Sequence, residues 1–293
     1  MTDARRAPGA VPRSGMLRLP ARTRRVLSFV GVLVTLVTAW EAYKLAGRTG
    51  VALPVSPDNV TMPHVWDMAG ELFSPARRGG EVLVVLLAKA ALFTLREALV
   101  GFLIGAVVGF GLGVLFVRST LAERAFMPYV VASQTVPILA IAPMVVIWGG
   151  RIDIPQWLSV SIISAYLTFF PVTINTLRGL RSPDPTAMEL MRSYAASPGE
   201  VLWKLQVPAA LPYLFTALKV SASASIIGAI IGELPAGFRD GLGRALLSFS
   251  SAFAVQSAKL YATVIFTALV GILLVGTVTL VERLLAPAHR EAA

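Results

Sequence analysis

Apolar runs long enough to cross a lipid bilayer recur along this 293-residue chain. A transmembrane helix needs about 20 mostly apolar residues, and six segments approach this length, at about 26–46, 97–117, 126–149, 156–177, 212–235 and 258–284. The chain is 56% hydrophobic and 14% charged, whereas soluble domains are about 45–50% apolar and about 25% charged. A water-soluble core of this size cannot bury such an excess. We therefore predict an all-α polytopic membrane protein with about six transmembrane helices.

Arginines are concentrated before the first apolar run, and this sets the expected orientation. Seven of them lie within residues 1–25, a large part of the basic excess behind the net charge of +10. Basic flanks stay in the cytoplasm, which places the N-terminus there and, after six spans, the C-terminus as well. The same placement favours a membrane flank over a nucleic-acid surface. The following run is long and lacks a small-residue cleavage site, so we predict a retained anchor rather than a signal sequence.

The predicted organisation follows from these positions. It comprises a basic cytoplasmic tail (1–25), a first transmembrane helix (26–46), an extracytoplasmic loop with an interfacial helix (47–95), a core (96–284) containing a cytoplasmic loop (183–211), and a cytoplasmic tail (285–293). The apolar segment 82–117 is too long for one simple span and contains Lys89, Arg96 and Glu97. We predict an interfacial helix over 82–95, a span over 97–117, and a partly solvated Arg96–Glu97 pair.

The 183–211 loop reads as two amphipathic helices separated by a Ser-Pro-Gly turn. Ser197 is a predicted N-cap, with Pro198 at the first helical position and Glu200 in the first turn. Pro208 and Pro212 follow just before the fifth predicted span. We predict that these prolines form a hinge into that span.

The spacing of this loop resembles the signature loop of bacterial ABC importer permeases. That pattern is Glu-Ala-Ala, three residues, Gly, nine residues, Ile-x-Leu-Pro; here Glu189, Ala195, Leu205 and Pro208 occupy matching positions. Residues 190–191 and Ala195 depart from it, since Leu-Met replaces Ala-Ala and alanine replaces glycine. The stretches 94–101, 134–143 and 232–243 resemble the nitrate, taurine, sulfonate and bicarbonate branch of the family.

The resemblance implies a type I importer permease fold and a mechanical role rather than an enzymatic one. In the family, the loop forms a coupling helix that seats on a separate ATPase subunit, where ATP and Mg bind. The chain has no Gly-x-x-x-x-Gly-Lys-Ser/Thr phosphate loop. The implied partners are two ATP-binding subunits, a second permease copy as a homodimer, an extracytoplasmic substrate-binding protein and membrane lipid. The implied docking residues are Glu189, Arg192, Ala195, Ser197, Pro198, Gly199, Glu200, Trp203, Lys204, Leu205 and Pro208.

Polar and small residues within the spans are further candidates for function. Polar side chains are costly at membrane depth and often line a pathway, which marks Gln134, Thr135, Tyr166, Asn175 and Glu233. Gln134 is the strongest of these, because Glu233 has possible partners in Arg239 and Arg244. Glycines recur every four residues and so share one helix face, where close helix packing is expected within the chain or, less favoured, between subunits: Gly101, Gly105, Gly109 and Gly113.

The resemblance implies the permease subunit of a binding-protein-dependent importer in the bacterial inner membrane. The expected cargo is a small solute of the sulfonate, taurine, nitrate or bicarbonate type; a thiamine-precursor pyrimidine, riboflavin or an aromatic compound stays open. A secondary transporter or channel predicts inverted repeats and midplane charges, and an intramembrane enzyme predicts a catalytic side-chain set. The spans show neither pattern, and the two histidines are too distant in sequence to suggest a metal site.

Overall fold

The chain folds into helices in a computed structural model that describes residues 21–49, 54–77, 79–235 and 240–285. Two units are distinguished, residues 1–65 and 66–293. The helices are α1 (Ala21–Arg48), α2 (Val65–Glu71), α3 (Leu83–Arg118), α4 (Thr120–Ala132), α5 (Ile138–Arg151), α6 (Gln156–Leu180), α7 (Pro185–Ser193), α8 (Pro198–Glu200), α9 (Val207–Glu233), α10 (Leu242–Ser251) and α11 (Phe253–Leu285). Residues 1–20 of the predicted tail 1–25, residues 286–293 of the predicted tail 285–293, and Arg239 lie outside the described residues.

In the first unit, the segment after α1 folds back along the second half of that helix. The Trp40 indole donates to the carbonyl oxygen of Pro63 at 3.0 Å, and Lys44 Nζ donates to Asn59 Oδ1 at 2.6 Å. Glu41 pairs with His64 at 2.7 Å. Through these contacts, the polar side chains near the end of α1 have partners close by in the sequence. Residues 26–34 remain exposed, as expected of a surface that faces lipid.

The centre of the second unit is a three-helix layer of α3, α6 and α9. The stripe of four glycines on α3 faces α6, where Gly101 meets Ser164, Gly105 meets Thr168, and Gly113 meets Thr176. Residue numbers rise together along this contact, so α3 and α6 run parallel. The segment between them must therefore return across the bundle. Helix α9 runs antiparallel to α6, because Gly232 lies against Val160 while Ser221 donates to the Thr168 carbonyl oxygen.

The predicted division of 82–117 into an interfacial helix and a span is wrong, because α3 is one continuous helix of 36 residues. The polar side chains of α3 are accommodated within the protein, so the helix does not need to break where they occur. Arg96 stacks on the Trp157 ring at 4.1 Å, whereas Glu97 is completely buried. The predicted Arg96–Glu97 pair is therefore wrong as well, since consecutive helical residues point in different directions.

The segment predicted as a span at 126–149 is a sharply bent pair of helices. Residues 120–135 and 138–151 meet at 103°. Pro137 disfavours helical geometry at the preceding residue, and Val136 is extended at φ −76° and ψ 124°. Five single helices have the length and apolarity to cross a membrane, and the bent pair raises the number to six among the described residues.

Helix α11 closes the bundle against α9 and α10. Its backbone departs from helical geometry at Gln256, with φ −131° and ψ 33°. Lys219 of α9 reaches Glu282 of α11 at 2.6 Å. This ion pair gives Lys219 a protein partner inside the bundle in addition to the solvent-directed route that a long lysine side chain can take.

Candidate functional site

The loop that carries the family spacing begins with a capped short helix. Asp184 accepts a hydrogen bond from the Thr186 backbone N–H at 2.7 Å, and Pro185 occupies the first helical position of α7. The bond from Thr186 lowers the pKa of the Asp184 carboxyl below its usual value. A carboxylate with a lowered pKa contributes stability above its unfolded pKa and loses it as the pH falls through the folded value. The cap is therefore fully formed at neutral pH.

Helix α7 ends in a turn that reverses the chain at Ala195. The N–H of Ala195 bonds the Arg192 carbonyl oxygen at 2.9 Å, and the N–H of Ala196 bonds the Met191 carbonyl oxygen at 3.0 Å. This pair of bonds is the Schellman pattern, which requires a left-handed residue at its centre. Ala195 has that conformation, with φ +52°. The turn explains why the family pattern places glycine here, since glycine adopts positive φ without steric cost.

We expect Ala195→Gly to stabilise this turn by about 1 kcal/mol, because a left-handed alanine costs roughly 1–2 kcal/mol that glycine avoids. Hydrogen exchange at the amides of residues 195 and 196 measures the effect as about fivefold slower opening. The matched control is Ala196→Gly, which adds the same flexibility one residue later. Equal changes in both variants would contradict a specific role for the conformation of Ala195.

The second half of the loop begins with a reciprocal cap. The Ser197 hydroxyl accepts from the Glu200 backbone N–H at 3.3 Å, and Glu200 Oε2 accepts from the Ser197 backbone N–H at 3.0 Å. Glu200 also pairs with Lys204 at 2.7 Å. The Arg118 guanidinium donates to the Pro198 carbonyl oxygen at 3.4 Å. The cap and this contact hold the start of α8 beside the end of α3.

The loop continues into α9 through a π-helical turn over Val201–Gln206. Pro208 has no N–H to donate, so the usual helical ladder is interrupted at this point. The Val207 N–H instead bonds the Leu202 carbonyl oxygen, five residues back. The helix does not break at Pro208 or Pro212, where we predicted a hinge. The wider turn accommodates the missing N–H of Pro208, and Pro212 lies inside α9.

Apolar side chains of this loop divide between the bundle and solvent. Leu202 is buried against Leu180 and Ala210, which attaches the loop to the bundle. In contrast, Leu190 is 55% exposed, Tyr194 76% and Trp203 62%. Charged or polar neighbours are exposed around them: Glu189, Arg192, Ser197, Glu200 and Lys204. Exposed apolar side chains with polar neighbours on an anchored loop are suited to binding a protein partner. We name Leu190, Tyr194 and Trp203 the loop patch.

Two of the predicted pathway residues lie at the bend between α4 and α5. Gln134 and Thr135 belong to the short 3-10 turn Ser133–Thr135, and both are exposed. Tyr166 of α6 donates to the Ser133 carbonyl oxygen at 2.5 Å and so supports the same turn. Asn175, a further candidate, donates to the Pro171 carbonyl oxygen of its own helix at 2.8 Å.

Glu233 is not at a surface of the protomer but completely buried. Its Oε1 accepts from the Thr94 hydroxyl at 2.6 Å, and its Oε2 accepts from the Gly243 backbone N–H at 2.5 Å. These partners replace the predicted pairing with Arg244, which is exposed. The sequence did not predict Thr94 as a partner of Glu233, nor the complete burial of Glu97. The sequence did contain a signal for this site. Glu97 and Glu233 are acidic residues within apolar segments, and an acidic residue at membrane depth needs a partner.

The helical bundle, its membrane-length helices and the anchored loop define an integral membrane transport subunit. Residues 101–289, more than half of the chain, match the family described as binding-protein-dependent transport system inner membrane component. The chain therefore belongs to this family of ABC importer permeases. Its members are permease subunits that work with a substrate-binding protein and with separate subunits that carry the ATPase activity.

Named relatives agree with this assignment. The formylaminopyrimidine transport permease protein ThiX of Halalkalibacterium halodurans is 33% identical over 198 residues, which cover 68% of this chain and 76% of the relative. The putative aliphatic sulfonates transport permease protein SsuC of Bacillus subtilis is 29% identical over 251 residues, covering 85% and 82%. A solved amino acid ABC transporter chain shares the fold at a TM-score of 0.55 and 18% identity, covering 69% of this chain and 95% of that chain.

Proposed function

We propose that this permease subunit imports a small polar solute by docking the loop patch on its ATPase partner. The observation that carries the proposal is the exposure of three large apolar side chains on a loop whose backbone is fixed by two caps and a Schellman turn. An exposed, preorganised patch loses little conformational entropy on binding. Movement of an attached ATPase is then transmitted through the π-helical turn directly into α9.

The orientation that follows places the loop patch in the cytoplasm. The loop lies at the end of the second unit where α3 finishes, as the contact from Arg118 to Pro198 indicates. The arginine-rich N-terminal residues favour a cytoplasmic N-terminus. With six spans, both termini and the loop share one side of the inner membrane, and the opposite end, with the α9–α10 connection, faces the substrate-binding protein.

The bend between α4 and α5 is the part of the protomer best suited to line the pathway. Backbone outside a helix is tolerated at membrane depth only where protein or a water-filled cavity satisfies it. Broken helices build the substrate sites of several transporter folds for this reason. Gln134 and Thr135 supply exposed polar groups at such a break. A second copy of the permease, facing this surface across a two-fold axis, would complete the pathway.

Two cargo classes fit this subunit. A small anion of the sulfonate, taurine, nitrate or bicarbonate type follows from the branch that the sequence motifs resemble. The 33% identity to a formylaminopyrimidine permease favours a thiamine-precursor pyrimidine as the second candidate. Binding of taurine, nitrate and a formylaminopyrimidine to the cognate substrate-binding protein, measured by calorimetry, separates the two classes directly.

We expect Glu189→Lys to abolish most solute uptake while leaving membrane insertion intact. Glu189 is exposed on α7 beside the loop patch, so reversing its charge alters the rim of the docking surface without opening the fold. A loss of about 1.4 kcal/mol in docking free energy corresponds to about tenfold weaker association. The measurement is uptake by proteoliposomes that contain the permease, the ATPase subunit and the binding protein.

The matched control is Asp67→Lys, the same type of charge reversal at an exposed acidic residue of α2. It should retain uptake. Unchanged uptake in Glu189→Lys would remove the coupling role from this part of the loop. Hydrolysis of ATP by the purified permease alone would contradict the division of labour between subunits.

A further inference from the structure

Two buried carboxyl groups meet where α3 packs against the end of α9. Glu97 and Glu233 are separated by 136 positions in the sequence and are both 0% exposed. Thr94, which lies one helical turn before Glu97 on the same face of α3, donates to Glu233 at 2.6 Å and so brings the two carboxyl groups together. Their surroundings are apolar, with Ala98, Val160 and Leu242 in the same buried cluster. Two negative charges at such a position would repel strongly in a medium of low dielectric constant.

The hydrogen bonds distinguish the two carboxyl groups. Glu233 accepts bonds on both oxygens, from the Thr94 hydroxyl and from the Gly243 N–H. Both oxygens of Glu97 lack a hydrogen-bond partner among the described residues. An ionised carboxylate can only accept hydrogen bonds, whereas a protonated one can donate. The arrangement assigns the negative charge to Glu233. If Glu97 were ionised as well, two groups that can only accept hydrogen bonds would face each other with no donor between them.

Arg96 precedes Glu97 on α3 and attracts its carboxyl group electrostatically, but its guanidinium stacks on Trp157 and forms no ion pair with Glu97 among the described residues. Lys89, also on α3, pairs with Glu81. Residues 156–168 of α6 contain no charged side chain. Asp240, just before α10, and Arg244, on α10, are both exposed. On α11, Lys259 donates to the carbonyl oxygens of Pro75 and Ala76, with Glu71 at 3.9 Å.

We propose that Glu97 and Glu233 form a buried site that binds one proton. The proton stays on the Glu97 carboxyl group, which donates a hydrogen bond to the Glu233 carboxylate. The proton supplies the missing donor and leaves one negative charge rather than two. That charge is held by the Thr94 hydroxyl and the Gly243 N–H. A hydrogen bond between a carboxylic acid and a carboxylate is short and strong compared with one between neutral groups.

The site also fixes the start of α10. The Thr94 hydroxyl accepts from the Leu242 backbone N–H at 2.9 Å while donating to Glu233. Gly241 has φ +106°, and a Cβ atom there would lie 2.5 Å from the Glu233 carboxyl carbon. Gly241 and the start of α10 therefore pack tightly against Glu233. Loss of the proton would place two charges beside the start of α10 and release α10 from α3.

Infrared spectroscopy of the purified, full-length chain in detergent tests the proposal. The spectrum should contain a carboxylic acid C=O band that shifts on transfer from H₂O to D₂O, that persists at neutral pH, and that Glu97→Gln removes. The side-chain amide that this substitution introduces can donate to Glu233 in place of the acid. The variant should therefore keep the wild-type melting temperature at neutral pH and lose the decrease that the wild type shows at alkaline pH.

The matched comparison is Glu97→Ala, which cannot donate and should melt below Glu97→Gln. If Glu97→Gln does not fold, the isotope shift in the wild-type spectrum still decides, because it requires no variant. Absence of that band at neutral pH would overturn the proposal. So would stabilisation of the wild type by Na⁺ or K⁺ that Glu97→Gln lacks, which would assign a metal cation to the site. Loss of stability in Arg239→Gln without a carboxylic acid band would assign the charge balance to that arginine.

Discussion

Replacing Gly105 by valine is expected to destabilise the folded chain strongly and to lower its melting midpoint. A Cβ atom at this position would lie 2.6 Å from Thr168 Cβ and 2.7 Å from the Ala165 carbonyl oxygen. Real Cβ contacts are not this short, and one of the two atoms belongs to the backbone of α6. The two helices would have to separate along the whole glycine stripe, since each of its members lies against α6. Overpacking a well-packed contact costs about 1–3 kcal/mol, and the two extra methyl groups of valine place this variant at the upper end.

Gly111 provides the control on the same helix. A Cβ atom there has nothing within 4 Å, and the residue is exposed. Gly111→Val changes the intrinsic helix propensity as Gly105→Val does, so the difference between the two variants isolates the contact with α6. Fluorescence-detected size-exclusion chromatography after heating measures the midpoint of each. Similar midpoints for the two variants would contradict a packing role for the stripe inside one chain.

Features of the loop that depend on neighbouring residues were predictable from the sequence. The cap at Ser197, the proline at position 198 and the acidic first turn follow from local backbone requirements, and the structure has all three. The apolar runs likewise indicated the membrane helices, because the length of a span is set by the bilayer. The Leu-Met and Ala195 departures did not hide the family, since the backbone of the turn retains the geometry that glycine would adopt.

Features that depend on distant residues were not predictable in this way. The polar positions of α3 have partners from distant parts of the chain: Trp157 of α6 stacks against Arg96, and Glu233 of α9 accepts a hydrogen bond from Thr94. Without those partners, a charge inside an apolar run looks like the end of a span. Pro137 is a local signal for the bend, but the apolar run continues through it, so the length of the run predicted one span without a bend in it.

Replacing Trp203 by glutamate is expected to disconnect the ATPase subunit from a permease that is itself intact. Trp203 is 62% exposed, and it does not belong to the buried contact that Leu202 makes with Leu180. Surface substitutions of this kind change folding stability by about 0.5 kcal/mol or less. Tryptophans at the centre of an interface contribute about 2 kcal/mol or more, which corresponds to about 30-fold weaker association.

The two readouts must be taken on the same preparation, because a misfolded permease would also fail to bind. Co-purification of the ATPase subunit should fall sharply in Trp203→Glu, while the melting temperature and the size-exclusion profile stay those of the wild type. Phe73→Glu is the control: Phe73 is 75% exposed and lies near the start of α3, at the end of the bundle away from the loop patch. Because both variants exchange an exposed aromatic ring for a charge, only the position differs. Retention of the ATPase subunit by Trp203→Glu would show that docking uses another surface, whereas loss in both variants would indicate a general effect of the added charge.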